Sequence, residues 1–207
     1  MTDMSSFTLP TKAEIDSCLL NFYFGFERPF LERVIDRAYL DLHRTLHGFA
    51  KHPGRVSLRG AAGECVRRAM TQLDAACQSQ RAFDQWHQHA CKQLVTLYGR
   101  SGFAAFAVGQ AQKWINMTVK YLALFDADQP RRQRRLLELG HMPIDARIFA
   151  RLSAEGLPRT LRQTSWSRIK EYGDYMRIQT WVREHFAGSS PLVVEFHLWL
   201  LPTSTAT

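Results

Sequence analysis

Apolar residues recur at helical spacing along most of the chain, and the breaks between them fall at glycine and proline. Thr11-Lys-Ala-Glu14 has the spacing of a capping box, in which hydroxyl and carboxylate satisfy each other's exposed backbone N–H groups, so a helix is predicted to start there and run to about Phe22. Pro29 suits a first helical position. Leu31, Val34, Ala38, Leu42 and Phe49 then repeat at helical spacing until His52-Pro-Gly54 stops a second, longer helix. Further helices are expected from about Gly60 to Cys77, from about Gln80 to Tyr98 with Phe83, Trp86, Leu94 and Leu97 inward, and from Gln110 to Phe125. The basic cluster Arg131 to Arg135 leads into Leu136 to Leu139 and reads first as a solvated helix face that Gly140 ends. His141-Met-Pro-Ile-Asp145 opens another helix, Gly156-Leu-Pro158 is a loop, a long helix runs from about Ser165 to His185, and Pro191 starts a closing segment through Trp199. Strand-like alternation is nearly absent, and no internal repeat or linker is evident. The expectation is an all-α, multi-helix globular domain over 1–207, as one body or as two packed lobes, 1–98 and 99–207.

Composition narrows the class without naming an activity. With 45% apolar and 22% charged residues, the 207-residue chain is neither disordered, collagen-like nor a coiled-coil array. No window approaches the roughly 18 uninterrupted apolar residues of a membrane span, and Met1 to Pro10 lacks the basic start and apolar run of a secretory leader. A soluble cytoplasmic protein with no membrane partner is therefore expected. The formal charge of +8 attracts polyanions, and with 21 arginines against six lysines it favours bidentate phosphate contacts, although high-GC codon usage produces the same bias. Cys18, Cys65, Cys77 and Cys91 form no C-x-x-C pair, so they are read as buried thiols, with neither metal nor disulfide.

One stretch carries most of the functional signal. Ala107-Val-Gly109 precedes the helix Gln110 to Tyr121, and Pro143-Ile-Asp-Ala-Arg-Ile-Phe-Ala-Arg-Leu152 follows. A tight turn at Gly109 exposes the first N–H groups of the next helix, which together with the helix dipole make a phosphate seat. Trp114, Met117, Tyr121 and Phe125 share one helix face, while Lys113, Asn116 and Lys120 fall on another, expected to face solvent and to meet phosphate or a base edge. Asp145, just after Pro143, has the position of a helix N-cap.

Over about residues 100 to 155 these motifs resemble the helix-hairpin-helix DNA glycosylase superfamily, whose endonuclease III-like members have a hairpin ending in Val-Gly before a helix and then a Val-Asp-Thr-His-Ile-Phe-Arg-Val segment. The resemblance implies a helix-hairpin-helix element, duplex DNA as partner, and Asp145 as the carboxylate that activates water and stabilises the cationic sugar as a flipped base departs. Gly109, Gln110, Lys113, Asn116 and Lys120 would then contact nucleic acid. Arg147, where the family has histidine, would face the backbone or pair with the carboxylate. Two departures matter. Ala107 replaces the first hairpin glycine, and the position of the family's Schiff-base lysine falls on Ala111, with Lys113 half a turn away. The implied enzyme is monofunctional and water-activating, and the absence of the cysteine quartet after Asp145 implies no iron–sulfur cofactor.

Other constellations compete. Ribonucleases of the HEPN type carry Arg-x(4 to 6)-His on a helix, but Arg37/His43, Arg81/His87, Arg134/His141 and Arg135/His141 are about what 21 arginines and eight histidines give by chance. His43 and His47 share a helix face without a third ligand, and His87-Gln-His89-Ala-Cys91 would be spread around a helix, so neither is a metal site. No phosphate-binding glycine loop, dinucleotide fingerprint or serine-hydrolase elbow is present. The aromatics from Trp166 to Trp199 read as core. The alternatives to a glycosylase are a non-catalytic helical binding protein of defence or regulation and a metal-independent Arg/His ribonuclease. Asp145 discriminates: an excision enzyme needs that carboxylate at an open, base-sized pocket, whereas a binding module needs it only as a cap.

Overall fold

The computed structural model describes residues 9–26 and 28–201; the leader-free reading of 1–8 lies outside them. Among the described residues the chain is all-α, with ten α-helices and no strand. They are α1 (Lys12–Phe24), α2 (Phe30–Leu42), α3 (Arg55–Thr71), α4 (Leu73–Ala76), α5 (Gln80–Arg100), α6 (Val108–Phe125), α7 (Pro130–Leu139), α8 (Ala146–Ala154), α9 (Tyr172–His185) and α10 (Pro191–Leu200). None is long and apolar enough to cross a membrane.

The starts follow local chemistry. The Thr11 hydroxyl accepts from the Glu14 N–H while the Glu14 carboxylate accepts from the Thr11 N–H, closing the capping box. Ser79 caps α5 through its hydroxyl and Asp145 caps α8 through its carboxylate, while Pro130 and Pro191 open α7 and α10. The structure also moves several boundaries. The second helix ends at Leu42 and the chain continues in two 3-10 turns, separated at Gly48, whose left-handed φ of 83° no continuous helix through Phe49 accommodates. The helix expected from Gly60 begins earlier, at Arg55, and breaks at Gln72. The helix expected from Ser165 begins only at Tyr172, since residues 166–168 form a 3-10 turn docked across the start of α6.

Helix α6 is the axis of the molecule. Every residue from Val108 to Ala123 is buried, against α2, α5 and α7 along its length and the 166–168 turn at its start. Buried apolar side chains fall into two clusters. One is built on α2 to α7 with Trp114, Tyr98 and Phe83 among its largest members, and the other on Ile144, Ile148, Leu152, Tyr175, Ile178 and Val182.

The link between them, Gly140 to Ile144, is extended, buried and without a strand neighbour. Side-chain amides take the place of a β-ladder. Gln112 accepts from the Ile144 N–H at 3.1 Å and donates to the Ile144 carbonyl at 2.8 Å, and Gln179 does the same for Met142 at 3.0 and 2.9 Å. Buried backbone polar groups are thereby satisfied, and the segment delivering Asp145 is fixed from both sides.

Candidate active site

A cleft of about 770 Å³ lies where the two clusters meet. Its floor is α6, with Lys113, Met117, Lys120 and Tyr121; one wall comes from Tyr23, Arg37 and Asp41, the other from Asp145, Glu195, Phe196 and Trp199. The volume is within the range of small-molecule sites. A second hollow of about 650 Å³ around Tyr39 and Arg59 is less suited to chemistry, because its acid, Asp36, is already paired with Arg28 and Arg59.

Asp145 sits in extended backbone before α8, with one carboxylate oxygen accepting from the Ile148 N–H at 2.9 Å and the other from Lys113 Nζ at 2.7 Å. Burial pushes this carboxyl up, but Lys113 and the amides of Ile148 and Arg147 outweigh it and hold the group below the usual aspartate range. Its side chain keeps 26% exposure, so an ionised oxygen borders the cleft. Two turns along α6, Lys120 donates to both oxygens of Glu195 at 2.9 and 2.6 Å. Burial dominates there and raises Glu195 despite Lys120.

On the opposite wall Tyr121 donates its hydroxyl proton to Asp41 at 2.6 Å, which leaves Tyr23 as the donor in the 3.0 Å contact between the two hydroxyls. Arg37 lies 4.3 Å over the Tyr23 ring. Burial and the nearby Asp41 charge keep Tyr121 protonated far above its ordinary range.

The structure corrects four sequence expectations. Lys113, Asn116 and Lys120 do not form an outward row: they are 4%, 0% and 4% exposed. The helical wheel assumed a solvent side that α6 lacks, and the lysines are buried because carboxylates from other elements neutralise them. Asn116 donates to Gln112, to the Met142 carbonyl and to the Tyr175 hydroxyl. The Gly109 phosphate seat is occupied by protein: its N–H donates to the Ile169 carbonyl at 2.9 Å, and a Cβ there would stand 2.0 Å from the Trp166 carbonyl oxygen. Glycine is thus required by a close backbone approach, and Gly109→Ala is expected to cost about 1–3 kcal/mol in chemical denaturation. Gln110 is 5% exposed and turns back on its own helix start, accepting from the Ala107 N–H at 2.8 Å. The Arg147 guanidinium neither pairs with the Asp145 carboxylate nor stands free; it donates to the Trp199 and Leu201 carbonyls at the end of α10 and stacks on Trp199 at 3.9 Å.

Sequence reasoning missed Glu195, the one acid in Pro191–Leu200, an otherwise largely apolar run whose pattern already demanded a buried cationic partner. It also missed a buried network behind the floor, in which His141 bridges Asp84 at 2.7 Å and the Tyr175 hydroxyl at 2.9 Å while Arg183 clamps Asp84 through both terminal nitrogens. Burial is the main force depressing both His141 and His87, and it holds His87 well below the ordinary histidine range. The His87/His89/Cys91 and His43/His47 sets are not gathered, and among the described residues no group of three His, Cys, Asp or Glu is placed to hold a metal ion.

Compared with known proteins, the chain matches no family model, no curated protein and no solved structure.

Proposed function

We propose that the cleft removes a base from DNA by hydrolysing its N-glycosidic bond, with Asp145 and water and no covalent enzyme intermediate. One observation carries this reading: the Asp145 carboxylate, fixed by the α8 N-terminus and by Lys113 and held ionised, borders an open cleft large enough for a nucleoside. Water is deprotonated toward Asp145 as its oxygen bonds the anomeric carbon. The carbon–nitrogen bond breaks with its electron pair on the base, which takes up a proton. The carboxylate meanwhile faces the cationic character of the sugar, the charge it is preorganised to stabilise. Lys113, whose ammonium is committed to Asp145, supports water as the nucleophile. Tyr23, Phe125, Phe196 and Trp199 offer aromatic surface to a flipped base, and the chain's +8 charge draws the polyanion.

The test is abasic-site formation on duplex and single-stranded oligonucleotides carrying deaminated, alkylated or oxidised bases. The wild-type protein is expected to release at least one of these bases, and Asp145→Asn to slow release by about 10²–10⁴-fold. Equal rates for the two proteins, or no release of any base by folded wild type, would overturn the assignment.

A further inference from the structure

We propose that α1 is a dimerisation helix, whose outer apolar stripe packs antiparallel against the same stripe of a second copy of this chain; the pairing does not rest on reading the Asp145 cleft as base-removing. Helix α1 is apolar on two opposite sides. One side holds Leu20 and Phe24, which pack into the core near the end of the helix, Phe24 edge-on against Phe30, Tyr121 and Phe125. On the other side Ile15, Leu19 and Phe22 repeat at spacings of four and three, within about 60° of helix arc. Phe26, just past the helix end, continues the spacing and meets Phe22 edge to face at 6.3 Å. These four side chains are 46%, 59%, 74% and 58% exposed. Elsewhere on the surface, α3 turns Arg55, Arg59 and Arg68 to solvent and α7 turns Arg131 and Arg134, whereas the α1 stripe carries no charge. A helix that is apolar on both sides calls for cover on both. So does its length: α1 has 13 residues and is held to the core only near its end, and isolated helices of that size are marginal in water.

Charge and area identify the occupant. Lys12 is paired with Asp16 at 3.0 Å and Glu14 is engaged in the capping box, so α1, with one lysine and two acids, has a net charge of −1 and offers no uncommitted cation to an anionic lipid surface. The rest of the chain then carries +9, the +8 of the whole less this −1. A second copy brings an uncharged stripe of identical spacing, which a two-fold axis matches to the first. Antiparallel pairing sets Ile15 against Phe26 and Leu19 against Phe22 of the second copy. It also directs the acidic first turn of each α1 toward the cationic body of the other, where parallel pairing would bring the two like-charged bodies together. The four side chains open on the order of 500 Å² of apolar surface, more than the few hundred that a monomer ordinarily leaves in one patch. With the exposed Cys18 and the Lys12 stem at its edges, each copy reaches the roughly 600 Å² per partner at which specific interfaces begin.

The test is sedimentation velocity of the full chain across micromolar concentrations, where wild type is expected to show a monomer–dimer equilibrium. Leu19→Glu/Phe22→Glu places charge in the middle of the stripe and alters no core side chain; it is expected to raise the dimer dissociation constant about a hundredfold or more while the body keeps its cooperative thermal unfolding. Val56→Glu, at an apolar position of α3 that is 77% exposed, should dimerise as wild type does. Cys18 gives a separate readout, because it is the one exposed cysteine of the four and stands at the edge of the stripe. A short bismaleimide should join wild-type chains into dimers and leave Cys18→Ser and the double variant monomeric. Vesicles of phosphatidylcholine and phosphatidylglycerol should leave the protein in the supernatant. A wild-type chain that stays monomeric, a dimer that survives Leu19→Glu/Phe22→Glu, an equal loss in Val56→Glu, or vesicle binding by a monomer through the same stripe would overturn the pairing.

Discussion

Two lysines of α6 meet carboxylates from different helices, and the two pairs end in opposite states. Lys120 and Glu195 are sealed, with side chains 6% and 3% exposed, and burial raises the acid. Lys113 is as buried at 5%, but Asp145 keeps 26% exposure and is lowered. The ammonium is the same in both, so backbone position makes the difference. Asp145 stands at a helix start, where unpaired N–H groups converge on its carboxylate, whereas Glu195 lies within α10, whose amides are already engaged. One pair is a pin between helices. The other presents an ionised oxygen to a cleft.

The largest expected effect is at the sealed pair. Lys120→Met strands a buried acid and should cost about 3–5 kcal/mol in urea denaturation, and Lys120→Met/Glu195→Leu should recover most of it. The sign with pH follows from the raised acid. A folded-state carboxyl above its unfolded value stabilises while protonated and loses that contribution as pH rises through the folded value, so the Lys120→Met deficit should shrink on acidification. A loss independent of pH would mean that Glu195 is not the stranded group.

Lys113→Met should cost less, about 1–3 kcal/mol, because Asp145 keeps its capping amides and some water. Its sharper signature is kinetic: without the ammonium, burial pushes the Asp145 carboxyl up, and the acid limb of base release moves to higher pH. An unmoved limb would separate Asp145 from the chemistry. The stability change in Asp145→Asn should be of similar size, about 1–3 kcal/mol at neutral pH: asparagine caps the helix as well as aspartate does, but the buried Lys113 ammonium loses its counter-charge. Asp145, lowered on folding, stabilises above its unfolded value and loses this as pH falls through the folded one; Asp145→Asn should therefore unfold less steeply in acid than wild type.

These contrasts also mark what the chain made legible. The capping box at Thr11, the proline start of α10 and the cap at Asp145 are local chemistry, visible in a few consecutive residues. Helix α6 was visible as a helix but not as an axis. Periodicity assigns polar residues to solvent, and at Lys113 and Lys120 that rule failed because their partners stand 32 and 75 residues away in the chain. Gly109 was legible as a constrained position, while its cause, a carbonyl of residue 166 packed against it, is tertiary. Nothing local marks the amides of Gln112 and Gln179; their role arises only because an extended segment without a strand partner lies beside them. Glu195 in its apolar run was the readable clue to the second pair.

The most direct measurement is a pH titration of the side-chain carboxyl carbons of Asp145 and Glu195 by NMR, assigned with Asp145→Asn and Glu195→Gln. Asp145 is expected to titrate below the ordinary aspartate range and Glu195 above the ordinary glutamate range, with Asp145 moving upward in Lys113→Met. An Asp145 midpoint raised to neutral pH or above would mean that the carboxylate facing the cleft is not held ionised, and would contradict the assignment of base removal to it.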